Sequence, residues 1–356
     1  MVLSEAFFIE RKNMDPLATM VLLGIVQQTQ PFSPFLLNLF FPSMVTFSSE
    51  EIAFDKLVKN VTLAPFVSPV VAGKARRKRG GNLKSFAPAY VKPKDIVDPK
   101  MLLQRQPGEM IAGSLTPAQR RLAVITQMLE NQNEQITHRE EWMVAQILIT
   151  GKVIISGDDF KTAEVDFGRK AQNTVTLSGA AKWSALDKDT SRQPIEDLED
   201  WSERCSGPVD TVVMGKKAWR QFIAFESVQK LLNTRRGSRS EMETGPSQVR
   251  DYQYKGTIGT FEIWVYTGKF EDTDGTMKPF IPEGGVLLGN SGYNGVRAYG
   301  AIQDAKANAD GVVEAQRYPK NWFTDDPSVE YLMTQSAPLP VTPDPDAFLF
   351  AQVMDN

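Results

Sequence analysis

Between Leu122 and Ile147 apolar residues return at steps of three or four, or multiples of them: Leu122, Ile125, Leu129, Ile136, Met143 and Ile147. That is the repeat of one helix face. Thr116 suits an N-cap, Pro117 suits the first helical position, Gln119 completes a capping box, and Gly151 ends the run. The pattern predicts a helix over 116–150, about 50 Å long at 1.5 Å per residue and held on one face only. It reads either as a core helix or as a spine spanning a subunit, and its length favours the spine.

The rest of the pattern is mixed. Strand-like runs fall at 152–156, 209–214, 261–266 and 286–288, and helix-like runs at 195–204 and 217–232. The second helical run takes Trp219, Phe222, Ile223, Leu231 and Leu232 as its apolar set. Residues 270–276 read as a hairpin turn centred on Asp274-Gly275. Two more strands, 329–336 and 347–353, are joined by a Pro/Asp loop. This is an α+β chain without internal repeats.

Two stretches do not read as parts of a compact domain. Residues 1–50 mix apolar clusters with breakers, as in Pro31-Phe-Ser-Pro-Phe-Leu-Leu-Asn-Leu-Phe-Phe-Pro42. They form either a short helix on the core or an arm that docks on a neighbour. Residues 61–71 and 85–97 read as two extended segments whose prolines confine them to sheet edges. With a basic, Gly-containing tip between them they make a two-stranded arm, which is marginal in water without a partner surface.

Composition adds one clue. The 356 residues are 42% hydrophobic and 23% charged, enough for a full core and for two domains, or one with large extensions. Residues 56–94 hold ten Lys or Arg and no acid, so with a formal net charge of -3 overall the remainder carries -13. Eight of those cations lie in KARRKRGGNLKSFAPAYVKPK, residues 74–94. The mostly apolar run 17–26 is shorter than the roughly 20 residues a bilayer span requires, and no cleavage site follows it. The expectation is a cytoplasmic protein with no membrane partner.

Little points to catalysis. One Cys, Cys205, excludes an internal disulfide framework, and one His, His138, excludes a His-rich zinc site. His138 sits mid-helix with Glu134 and Glu141 at helical spacing, which read as solvated face charges. Cys205 follows an amphipathic helix and reads as packing. Gly215-Lys216-Lys217 lacks the remaining residues of a phosphate loop. Asp272 and Asp274 lack the partners of a calcium loop. The acid pairs Asp158-Asp159, Asp325-Asp326 and Asp344/Asp346 fall in loops where solvation accounts for them. No catalytic residue, cofactor or metal is expected. The basic cluster 74–84 carries no aromatic residue for base stacking, so nucleic-acid binding rests on charge alone.

Several dispersed segments, in order, resemble a known family: Val67-Ser-Pro-Val-Val-Ala-Gly73, Arg79-Gly-Gly81, Tyr90-Val-Lys-Pro-Lys94, Asn233-Thr-Arg-Arg-Gly-Ser-Arg-Ser-Glu241, Val296-Arg-Ala-Tyr-Gly-Ala-Ile-Gln-Asp304, Arg317-Tyr-Pro-Lys-Asn-Trp322 and Gln335-Ser-Ala-Pro338. From about residue 30 to the end the chain is similar to the lambda-type major capsid proteins of tailed phages, the phage capsid E family. The resemblance implies a Hong Kong 97-like fold: an N-terminal arm (1–50), an extended loop with its flanks (51–115), a spine helix opening the peripheral domain (116–154), an axial domain with part of the peripheral domain (155–325) and C-terminal strands of the peripheral domain (326–356). It implies a major head protein that self-assembles as hexamers and pentamers into an icosahedral shell around double-stranded DNA. Scaffold, portal and decoration proteins are the further partners, and the virion is the location. The alternatives are a nucleic-acid-binding module using 74–94 and a minor shell component of the same fold.

On this reading Arg76, Arg77, Lys78, Arg79, Lys84, Lys92 and Lys94 are positioned to meet an acidic surface of the next subunit. Arg235 and Arg236 are candidates for contacts around the capsomer axis. Gly108, Gly113 and Gly151 are hinge candidates beside the spine.

Overall fold

The computed structural model describes residues 33–49, 52–56, 82–103, 116–157, 160–232, 251–272, 274–326 and 328–355. In chain order they form α1 (Phe35–Phe40), β1 (Ser43–Thr46), β2 (Ile52–Lys56), β3 (Asn82–Phe86), β4 (Lys94–Val97), α2 (Pro99–Leu103), α3 (Pro117–Thr150), β5 (Lys152–Gly157), β6 (Phe160–Asp166) and β7 (Thr174–Thr176). There follow α4 (Gln193–Arg204), β8 (Thr211–Met214), α5 (Lys216–Ile223), α6 (Glu226–Leu231), β9 (Tyr252–Ile258), β10 (Phe261–Tyr266), β11 (Lys269–Glu271), β12 (Met277–Pro279) and β13 (Gly285–Gly289). The chain ends through β14 (Val296–Tyr299), α7 (Ala305–Ala309), β15 (Tyr318–Thr324), β16 (Val329–Gln335), β17 (Pro338–Val341) and β18 (Leu349–Gln352). They divide into two units. The first takes 1–50, 88–144 and 297–340, and the second takes 51–87, 145–296 and 341–356.

In the first unit, β15-β16-β4 form a three-stranded antiparallel sheet. Along β16 exposure alternates, with Glu330, Leu332 and Thr334 buried and Val329, Tyr331 and Met333 half-buried. Val97 and Leu332 carry the buried face onto Val124, Ile125 and Leu129 of α3. The helix starts as predicted: the Thr116 N–H donates to Gln119 Oε1 at 2.8 Å and the Gln119 N–H to Thr116 Oγ1 at 3.3 Å. Ile125, Leu129 and Ile136 are buried, as the spacing requires, while Leu122 is 39% exposed. Its one-faced character lasts only to Arg139. From Glu140 to the end of the unit's share of the helix, Glu140, Glu141, Met143 and Val144 are all buried, and Glu141 there bonds to the amides of α1. A second sheet, β1-β14-β17, completes the unit.

The stretch 85–97 is not one extended segment. β3 ends at Phe86 and pairs with β2, whereas β4 pairs with β16 in the other unit. Pro88 and Pro93 lie in the break between them. The expected partner strand, 61–71, lies outside the described residues. β4 is an edge strand, as the prolines before it led the sequence to predict.

The second unit is built on a six-stranded sheet of order β7-β18-β13-β8-β10-β9. Val212, Met214, Val286, Leu288, Ile263, Leu349 and Ala351 line one face and pack against Ile195, Leu198, Trp201, Ala218, Phe222 and Val228 of α4, α5 and α6. Trp183 stacks on Trp201 (6.1 Å, 11°) and on Phe222 (5.4 Å, 30°) at the centre of this core. The run 217–232 is two helices rather than one. Phe225 turns to extended backbone (φ -76°, ψ 128°) so that its ring is fully buried, and α6 restarts behind it. Leu231, assigned to the apolar face, is half exposed. The Asp274-Gly275 turn joins β11 to β12 as predicted, with Gly275 at φ 76°. The strands 329–336 and 347–353 do not share a sheet: β16 belongs to the first unit, and β18 inserts between β7 and β13 in the second.

Candidate functional site

The site assembles around α1 in the first unit. Six residues do not hold an α-helix in water. Here α1 buries Phe35, Leu36, Leu37 and Phe40, followed by Phe41, each contributing roughly 1.5–3 kcal/mol by leaving water. Charges complement both ends of the helix. Glu141, fully buried, accepts the N–H of Leu36 at 2.9 Å and of Leu37 at 2.8 Å. At the other end Arg297 donates to the carbonyl oxygens of Phe41 (Nε, 2.6 Å) and Leu37 (Nη2, 3.1 Å) and to Asn38 Oδ1 (2.8 Å). An anion at the N-terminus and a cation at the C-terminus are the arrangement the helix dipole favours. Glu141 is therefore no solvated face charge. Glu134 is exposed as expected, 3.7 Å from His138 Nε2.

Glu140 lies beside this clamp. It is 3% exposed, with Arg317 Nη2 at 3.6 Å. Burial pushes its pKa up, against the opposing pull of Arg317, Tyr299 and Arg297. Tyr299 is likewise pushed up by burial and by the neighbouring Glu140 charge. Arg317 binds α3 through Asn133 (carbonyl oxygen 3.2 Å, Oδ1 3.1 Å) and Thr137 Oγ1 (2.7 Å). Next to Asn133, Gln132 donates to Asp95 at 2.8 Å and to the Leu332 carbonyl at 3.1 Å, and accepts from Thr334 Oγ1 at 2.7 Å. Arg121 grips Glu330 with two nitrogens, at 2.8 and 3.0 Å. Polar bonds as well as apolar packing thus fasten the helix to its sheet.

Asp304 caps α7 by accepting from Lys306 N, and it binds Lys320 Nζ and Gln335 Nε2, each at 2.9 Å. Burial works to raise its pKa, but the hydrogen bonds from Lys320, Gln335 and the Ala307 and Lys306 amides hold it at about 2. Tyr90 donates its hydroxyl proton to the Ala301 carbonyl and accepts from Gln303 N at 2.6 Å. Four of the dispersed motifs, those containing Tyr90, Arg297–Asp304, Arg317–Trp322 and Gln335, therefore meet in one hydrogen-bonded region.

The interface candidates do not converge in this way. Arg76, Arg77, Lys78, Arg79, Arg235 and Arg236 lie outside the described residues, as do the hinge candidates Gly108 and Gly113. Lys84 stands in β3 of the second unit. Lys92 sits over the Tyr90 ring at 4.7 Å, and Lys94 over Tyr331 at 3.8 Å and Trp322 at 5.3 Å, both in the first unit. Gly151 takes φ +75° to end α3, and a Cβ there would stand 2.5 Å from Arg169 Cβ. Arg169 in turn donates to the carbonyl oxygens of Leu148, Asn173 and Phe348 at 2.8, 2.8 and 2.9 Å. A larger residue at 151 would break this packing whether or not the position rotates.

The remaining chemistry resolves as structure. Cys205 packs against the Trp183 core, and burial pushes its thiol up to about 11. Asp272 and Asp274 pair with Lys278. Asp346 is not a solvated loop acid: it is 7% exposed and accepts the Lys170 N–H at 2.8 Å. The N-terminus of α5 is filled by the chain itself, since Lys217 N and Ala218 N both bond to the Glu283 carbonyl. Among the described residues no helix is long and apolar enough to cross a membrane.

The long helix, the sheets and the clamped α1 fit a shell subunit of the Hong Kong 97-like class, and comparison with known proteins says which. The family described as phage major capsid protein E matches residues 18–353. The chain is 39% identical to the major capsid protein of Escherichia phage lambda and 40% identical to that of Enterobacteria phage P21, each over 94% of this chain and 98% of the relative. A crystal structure of a prophage capsid protein from E. coli CFT073 superposes with a TM-score of 0.77 at 32% identity, covering 95% of this chain and 99% of that one. The chain belongs to the phage major capsid protein E family. It is a structural protein of the virion that forms the head shell of a tailed phage.

Proposed function

We propose that this chain closes, as hexamers and pentamers assembled in the host cytoplasm, into an icosahedral shell that encloses double-stranded DNA without reading its sequence, and that its role is structural rather than catalytic. The clamp on α1 carries this reading. It fixes residues 35–41, within the proposed arm 1–50, to their own subunit, which gives that arm a defined origin. The loop spanning 51–115 carries the basic tip, Arg76, Arg77, Lys78 and Arg79, toward the acidic remainder of the next copy. Opposite charges there set register and orientation more than raw affinity. Walls of net negative charge also avoid the salt-dependent hold that many cation–phosphate contacts place on DNA. Scaffold, portal and decoration proteins are the further partners of such a shell, and Arg235 and Arg236 are its candidates for contacts around the capsomer axis.

Charge reversal tests the loop. With Arg76, Arg77, Lys78 and Arg79 changed to Glu, sedimentation is expected to show folded subunits that fail to form large particles at low salt. Normal particles from that variant would show that the cluster is only a solvated tip.

A further inference from the structure

The three-stranded sheet has a second face. Paired residues of an antiparallel sheet point the same way, and positions two apart share a face. The register Trp322↔Tyr331↔Ile96 and, one step on, Lys320↔Met333↔Lys94 therefore puts these six side chains on the face opposite α3. Trp322 and Tyr331 stack at 5.4 Å and 23°, both half-buried, with Ile96 beside them 49% exposed. Lys94 Nζ lies 3.8 Å from the Tyr331 ring centre and 5.3 Å from that of Trp322. Lys320 is neutralised by Asp304 at 2.9 Å. Lys94 and Lys92 have ring contacts but no ion pair among the described residues.

We infer that this face is a docking surface for a carboxylate-bearing segment of a second copy of the chain. Three observations carry the inference. An isoleucine, a tryptophan and a tyrosine in one row form an apolar strip that is only half-buried among the described residues, with Ile96 49% exposed. Beside it two ammonium groups are held over rings, which orders the lysines without neutralising them. The occupant follows from charge complementarity: outside 56–94 the chain carries -13, with acids outnumbering bases, so another copy presents a net acidic surface. Nucleic acid fits less well. The Trp322 and Tyr331 rings already stack on each other with Lys94 against them, whereas base stacking requires free ring faces.

The inference rests on the shell-forming reading, and its test separates the two. Shells are assembled from an equal mixture of isotopically light and heavy copies, treated with a carbodiimide that joins amines to carboxylates in direct contact, and digested. Lys94 or Lys92 is expected in light–heavy pairs with an Asp or Glu. Pairs only within a copy, or none, would overturn the docking face while leaving the shells as evidence for the capsid reading. Acetylation of the lysines gives the second readout: Lys94 should react in unassembled subunits and be protected in empty and DNA-filled shells alike. Protection confined to DNA-filled heads would assign the face to nucleic acid instead. In a Lys94→Glu variant with unchanged thermal unfolding, the concentration required for assembly at low salt should rise about tenfold; assembly at the parent's concentration counts against the proposal.

Discussion

Glu140 places a carboxylate with an unpartnered buried oxygen between two arginines, and the consequence is an unusual pH dependence. Its folded pKa lies above 4.5, so the native state holds its proton more tightly than the unfolded chain does. Its contribution therefore improves as pH falls through the folded pKa toward 4.5, and a cost is present above it. Asp304 acts in the opposite sense. Its stabilisation is present above the ordinary value of 3.8 and is lost as pH falls toward about 2. Glu140→Gln should flatten the rise in melting temperature between neutral pH and pH 5, read by circular dichroism; an unchanged slope would mean that another group titrates there. Gly151→Ala forces a side chain into φ +75° and against Arg169, and should cost about 1–3 kcal/mol in urea unfolding. Neither buried glutamate was read from the sequence. A signal existed, because the apolar row of α3 lapses between Ile136 and Met143, where Glu140 continues the helical spacing to Val144. Composition alone cannot tell a buried partnered acid from a solvated one, since the partners, Arg297, Arg317 and the α1 amides, lie more than a hundred residues away in the chain.

At the scale of elements, α3 was legible from end to end because cap, period and stop agree locally. The break at Phe225 was not, since a buried ring there outweighs a continuous helical pattern. The split at Pro88–Pro93 was half legible: the prolines marked an edge, but which sheet owned it depended on the distant β16. The Arg297–Glu141 clamp makes α1 a dependent element. Glu141→Ala leaves two buried amides without an acceptor and should cost about 2–4 kcal/mol. Hydrogen exchange at Leu36 and Leu37 should then speed up well before that of Ile125 and Leu129. If all four amides change together, α1 is not an independently released latch and the clamp is merely part of the general fold.

For the whole molecule, the shell-subunit class was legible because dispersed motifs follow one another in the family's order, and the structure explains why four of them belong together: they are the two sides of one hydrogen-bonded network around Asp304, Arg317 and Arg297. The contacts that join copies were not legible in the same way, since complementarity across an interface leaves only charge and exposed apolar residues on each separate chain. The central claim is that copies of this chain are the units that close into a shell. Electron microscopy of the purified full-length protein at rising concentration tests it most directly. Closed, rounded particles of uniform diameter are predicted, formed by copies of this chain without added nucleic acid. Only small species at every concentration, enlarging solely when DNA is added, would contradict it.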